Sequence, residues 1–163
     1  MAQATRLSTV AQRRIQSELN EWMRSPPEGC CLESCEPMTS WVVIMQGPEG
    51  AGGVRLYSDE VFRVRIDFGE QYPLDPPDVI FLAPAPIHPH IYSNGHICLD
   101  ILYSGRNGGW SPALTMSKVV LSLRSMLASN TDKRKPPGDA EYCARVGNRS
   151  PKLSNWVFED DKV

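Results

Sequence analysis

Six prolines lie between residues 73 and 89, in the stretch YPLDPPDVIFLAPAPIHP, and they limit what this part of the chain can become. Each proline removes a backbone donor and fixes φ, and each pushes the residue before it toward extended geometry, so regular helix is excluded here. The proline-free run that remains holds VIFL at 79–82, enough for one short strand. All three histidines follow at once, in HPHIYSNGHICLD at 88–100, together with one of the five cysteines. Asn94-Gly95 is a strong turn signal inside that stretch, which therefore reads as a fixed, extended loop rather than a regular element.

The flanks are more regular. Ala11, Ile15, Leu19 and Trp22 recur at helical spacing, with Arg13, Arg14, Gln16 and Glu18 assigned to the other faces, and prolines 26 and 27 end that helix. A cysteine-bearing loop (CCLESC) precedes TSWVVIM at 39–45, which is β-branched and aromatic, and QGPEGAGGVR supplies a turn. Phe62, Val64, Ile66 and Phe68 alternate with Arg63, Arg65 and Asp67, the period of a strand with one face buried. Short connections between consecutive strands favour an antiparallel meander. After WSPALT, Met116, Val119, Val120, Leu123 and Leu127 form a helical stripe, with Thr115 or Ser117 as its cap. KRKPPG breaks the pattern, DAEYCARV reads as a short helix, and the end is acidic.

A chain of 163 residues with no internal repeat and no long linker reads as one domain, 1–163, large enough to bury a core without disulfides. Its net charge of -2 argues against a nucleic-acid surface, and no apolar run approaches the length of a membrane span. The first twenty residues lack the apolar centre of a secretory signal, so a reducing cytoplasmic or nuclear setting is expected, with the five cysteines as free thiols.

The histidine loop supports three readings. Cys98 amid polar residues, turns and imidazoles is a candidate nucleophile, because a nearby imidazole favours thiolate. His88, His90, His96 and Cys98 count as four nitrogen and sulfur ligands for zinc, although Pro89 stiffens the chain and paired C-x2-C spacing is absent. A papain-like pair would need an orienting histidine elsewhere, and there is none. Cys30, Cys31 and Cys35 make a poor zinc set without a fourth ligand, and Cys143 reads as part of a packed helical face.

HPHIYSNGHICLDIL followed by WSPALT resembles the active-site segment of ubiquitin-conjugating enzymes. RRIQSELNEWMRSPP is similar to their first helix, YPLDPPDVIF to their proline-rich strand approach, and TMSKVVLSLRSML to their crossover helix; residues from about 130 to 163 diverge. The resemblance implies an α+β fold with an N-terminal helix, a four-stranded antiparallel sheet, the active-site loop and further helices. It implies that Cys98 accepts ubiquitin as a thioester from the ubiquitin-activating enzyme and yields it to an amine, with no metal or cofactor of its own. By position, Phe81, Ser111, Pro112 and Ala113 resemble the surface that grips RING or U-box ligases, and Arg13 and Arg14 the surface that faces the activating enzyme. SGRNGG between Tyr103 and Trp110 is longer than the family's usual connection.

The family's usual tripeptide is His-Pro-Asn, and here His90 stands in the asparagine's place, as oxyanion donor or as loop support. Asp100 and Asp139 are candidates for the acidic residue that other members place near the incoming lysine. HPH with SNGHICL and the divergent ending resembles the W-type branch, which acts on α-amino groups of flexible amino termini; Trp156 and Val157 stand where that branch has paired tryptophans. At pH 7 an α-amine with pKa near 7.7–8.0 is about a tenth neutral, whereas lysine near 10.4 is neutral about once in 2,500, so a site that does little to deprotonate its acceptor favours the weaker base. Lysine-directed conjugation and an inactive binding variant are the competing functions.

Overall fold

The computed structural model describes residues 6–158. Helix α1 spans Thr9–Arg24: the Ser8 hydroxyl oxygen accepts the Ala11 N–H at 3.1 Å, Arg24 stands in the last turn, and prolines 26 and 27 follow. Its buried stripe is Ala11, Ile15, Glu18 and Trp22, which corrects the expectation that Glu18 faces outward. Positions 11, 15, 18 and 22 are one helical face, and Glu18 is tolerated there because its carboxylate is hydrogen-bonded on both oxygens.

Four strands follow: β1 Cys30–Ser34, β2 Ser40–Gln46, β3 Val61–Asp67 and β4 Asp78–Phe81. They form one antiparallel sheet in the order β1-β2-β3-β4, the expected meander. The stretch read as a cysteine loop is instead an edge strand: Cys30 pairs with Met45 and Cys31 with Ile44, so adjacent thiols point to opposite faces, one buried and one exposed. A segment as polar as CCLES carries no alternation of its own, and backbone pairing to β2 makes it a strand. On the inner face, Trp41, Val43, Met45, Phe62, Val64, Ile66, Val79 and Phe81 are buried.

Helix α2, Met116–Ser129, buries the predicted stripe together with Met126, and the Thr115 hydroxyl oxygen accepts the Lys118 N–H at 3.3 Å. Trp22, Trp41, Phe68 and Tyr72 run edge to face through the core, at 6.1, 5.3 and 4.7 Å between successive rings. Helix α3, Asp139–Val146, and a 3-10 turn at Pro151–Leu153 lead to an extended segment whose Trp156 and Phe158 pack against the core. No described helix is long and apolar enough to cross a membrane.

Candidate active site

The loop between β4 and α2 is held by its own histidines. His88 is 4% exposed; its Nδ1 accepts the His90 backbone N–H at 2.9 Å, which leaves Nε2–H to donate to the Met126 carbonyl of α2 at 3.3 Å. Burial, and to a lesser degree the neighbouring His90, push the His88 pKa down to about 4, so the ring is neutral near pH 7. His96 is equally enclosed: its Nδ1 shares a hydrogen bond with the Tyr142 hydroxyl at 2.7 Å, and burial lowers its pKa too. These bonds tie the two rings to α2 and α3 rather than to Cys98. Among the described residues no group of three or more His, Cys, Asp or Glu side chains could hold a metal ion.

Between the two histidines the backbone folds back on itself. Ile91 bridges to Ile97, and the Cys98 N–H donates to the His90 carbonyl at 2.8 Å. Gly95 closes this hairpin at φ +89, and a Cβ there would lie 1.9 Å from the Phe81 carbonyl oxygen, so the turn requires glycine. The Phe81 N–H in turn donates to the Gly95 carbonyl at 3.0 Å, docking the loop on the end of β4. Tyr103 donates from its hydroxyl to the Ile97 carbonyl at 2.5 Å, and Tyr57 to the Ile87 carbonyl at 2.6 Å. Cys98 thus sits on a loop fixed from both ends.

The Cys98 side chain is half-buried, burial raises its thiol pKa, and the S–H points to the Val157 carbonyl at 3.8 Å. It opens on two clefts, both of which Tyr92 and Val157 also line. One, about 680 Å³, is lined by His90, Tyr92, Asn130, Asp132 and Arg134; the other, about 520 Å³, by Tyr92, Tyr142, Arg145, Arg149 and Trp156. Among the described residues lining these clefts, Asp132 carries the one carboxylate, and it is paired with Arg134 at 2.7 Å.

The other candidates fall in separate places. His90 shares the larger cleft with Cys98. Asp100 lines neither cleft; its carboxylate accepts the Ile101 N–H at 2.9 Å within a 3-10 turn. Asp139 staples α3 to the loop, accepting the Ser93 N–H at 2.7 Å and the Ser93 hydroxyl at 2.5 Å. Partial burial acts to raise the Asp139 pKa, but these hydrogen bonds prevail and hold it below the usual carboxylate range. Tyr92 and Tyr142, which wall the smaller cleft, carry no sequence signal as site residues beyond an aromatic side chain, whereas Trp156, the third wall, stands at the position to which the W-type resemblance points.

Phe81 is 1% exposed and packs against Phe62 at 6.1 Å, so it cannot present a docking surface. Side chains alternate along β4, so Asp78 and Ile80 lie on one face and Val79 and Phe81 on the buried one. The exposed apolar side chain of that proline-rich approach is Leu74, 70% exposed. Trp110 donates its indole N–H to the Pro73 carbonyl at 3.0 Å, lacing the Leu74 loop to exposed Ser111, Pro112 and Ala113. Arg13 is exposed, whereas Arg14 is committed internally: it pairs with Glu18 at 3.2 Å and donates to the Leu114 carbonyl at 2.9 Å. Glu18 also accepts the Tyr72 hydroxyl and the Met116 N–H at the start of α2, the latter at 2.7 Å; burial raises its pKa against these bonds.

A sheet meander backed by two helices, with a cysteine on a histidine-anchored loop at the junction of two clefts, is the arrangement of the ubiquitin-conjugating enzymes, and the chain belongs to that family, whose model matches residues 14–157. It is 46% identical to the probable ubiquitin-conjugating enzyme E2 16 of Arabidopsis thaliana, over 96% of this chain and 93% of that protein. It is also 46% identical to the probable ubiquitin-conjugating enzyme E2 W of Dictyostelium discoideum, over 93% and 96%. The crystal structure of the ubiquitin conjugating enzyme E2 UbcA1 from Agrocybe aegerita is similar at a TM-score of 0.77 and 34% identity, covering 89% of this chain and all of that one. The protein is therefore a ubiquitin transferase, with ubiquitin, an activating enzyme and a ligase as the partners the family implies.

Proposed function

We propose that Cys98 carries ubiquitin as a thioester and passes it to the α-amino group of protein substrates with flexible amino termini. Attack by the Cys98 thiolate on the activating enzyme's thioester carbonyl expels that enzyme's thiolate. The acceptor amine then attacks the new thioester, an amide forms, Cys98 leaves as thiolate, and the amine's proton is lost. The observation that carries the reading is that Cys98 lines both clefts, one for each approach to the acyl carbon.

The α-amine preference is supported by the poverty of bases around Cys98. Asp139 and Asp100 are held in local hydrogen bonds, and Asp132 is ion-paired. Where no free carboxylate takes the acceptor's proton, the neutral fraction of the acceptor sets the rate, and that fraction is a few hundred times larger for an α-amine than for lysine at pH 7. His90, in the same cleft as Cys98, is the candidate donor to the oxyanion formed when the amine attacks, alongside its backbone part in holding the loop. RING or U-box ligases are proposed to dock on Pro112 and its loop, the activating enzyme on the exposed Arg13 side of α1, in a cytoplasmic or nuclear setting.

The test is discharge of ubiquitin-charged enzyme onto an unstructured lysine-containing peptide with free or acetylated amino terminus, read by mass spectrometry. Modification at the free α-amine that acetylation abolishes is expected. Lysine conjugates persisting after acetylation would return the protein to the lysine-directed class.

A further inference from the structure

The smaller cleft at Cys98 has a charge opposite to that of the molecule. The chain carries a net charge of -2, yet among the described residues this cleft is lined by Arg145 and Arg149 and by no carboxylate. An adjoining cavity of about 360 Å³ shares Ser154, Asn155 and Trp156 with it and adds Arg106 and Lys152, again without a carboxylate. Among the described residues none of these cations is in an ion pair. Lys152 donates to the Pro76 carbonyl at 3.1 Å, which leaves its charge uncompensated, and Arg145 lies 5.9 Å over the Tyr142 ring.

The walls are rigid and apolar. Tyr92 and Tyr142 stack at 4.0 Å, and Trp156 leans on them at 6.0 and 5.8 Å, with its indole N–H donated to the Pro151 carbonyl at 2.8 Å. Aromatic walls under exposed guanidinium groups concentrate positive potential in the cleft and keep solvent from screening it as fully as on an open surface.

We propose that the cleft between Tyr92, Tyr142 and Trp156, rimmed by Arg145 and Arg149, is an acceptor subsite that selects substrates with acidic side chains in the first few residues after the reacting amine. The inference rests on the acceptor reading above. A polypeptide whose amine reaches Cys98 along this side lays its next residues past Arg145 and Arg149, with the Arg106 and Lys152 cavity beyond Trp156. Basic residues there meet four cations, and acidic ones meet four partners.

The test uses the intact, ubiquitin-charged enzyme in single-turnover discharge. The acceptors are unstructured lysine-free peptides with a free α-amine, in versions acidic or basic just after it, and matched acetylated peptides bearing one lysine. The quantity read is the acidic-to-basic rate ratio within each enzyme, so that changes in charging or folding cancel. A ratio of about three to ten at low salt is expected, from two or three exposed pairs, shrinking toward one near roughly 0.5 M salt. The double variant Arg145→Glu, Arg149→Glu should bring it down to about one or below, since Arg106 and Lys152 remain. Arg24→Glu, an exposed position lining neither cavity, should leave the ratio as it is. A ratio near one in the unmodified enzyme, or one the double variant does not change, overturns the proposal. So does a preference seen only after removal of residues 159–163, which would assign the cleft to the chain's own acidic end. Modification of the acetylated peptides sinks the α-amine reading alone, because the acidic-to-basic ratio within that series still tests the cleft.

Discussion

Acidification should loosen the loop beneath Cys98 through its buried histidines, and the contribution of His88 can be isolated. Its neutral form accepts the His90 N–H and donates to Met126; a proton on Nδ1 cancels the first bond and places a charge in a site 4% exposed. The folded pKa of about 4 lies below the ordinary value of 6.5, so the folded protein binds fewer protons than the unfolded one between those limits. The contribution to stability is therefore complete above about pH 6.5 and is lost as pH falls toward 4. For one group with these two values the loss between pH 7 and pH 5 comes to about 2 kcal/mol, a fall of roughly 4–8 °C in Tm for a chain of this length. The assay is urea unfolding at both pH values for the unmodified protein and for His88→Asn, whose amide oxygen can still accept the His90 N–H. His88→Asn should cost about 1–3 kcal/mol at pH 7 for the lost Met126 bond. Its further loss on going to pH 5 should be smaller than the unmodified protein's by about 2 kcal/mol. His96 is present in both proteins and drops out of the difference. Equal acid sensitivity in the two proteins, or an NMR titration of the His88 ring at or above pH 6, would refute the argument.

Three further variants test packing and exposure. Phe81→Ala should destabilise the fold by about 3–5 kcal/mol in denaturant unfolding, because it empties a core site, whereas Leu74→Glu should leave the unfolding midpoint nearly unchanged and reduce ligase-stimulated discharge. Equal ligase response in Leu74→Glu would move ligase docking away from that loop. Gly95→Ala should cost about 2–4 kcal/mol and slow thioester formation, since its Cβ would meet the Phe81 carbonyl oxygen at 1.9 Å; an unchanged charging rate would show that the hairpin does not position Cys98.

Local pattern determined a good deal of this protein. The period of β3, the apolar run of β2, the α2 stripe with its Thr115 cap, and the proline limits on residues 73–89 are properties of short segments, because propensity and alternation act over a few residues. The histidine and cysteine loop was legible as a motif for the same reason: its residues are neighbours in the chain. What only the tertiary structure decided is where separate segments meet. β1 is a strand by pairing rather than by composition; Glu18 turns inward because Tyr72 and Met116 satisfy it; Phe81 faces the core while Leu74 is left exposed. The cleft walls come from residues 92, 142 and 156, brought together by hydrogen bonds such as His96 to Tyr142 and Ser93 to Asp139. No periodicity connects positions fifty residues apart, so the surroundings of Cys98, and the charge of the cleft it opens on, exist only once the chain has folded.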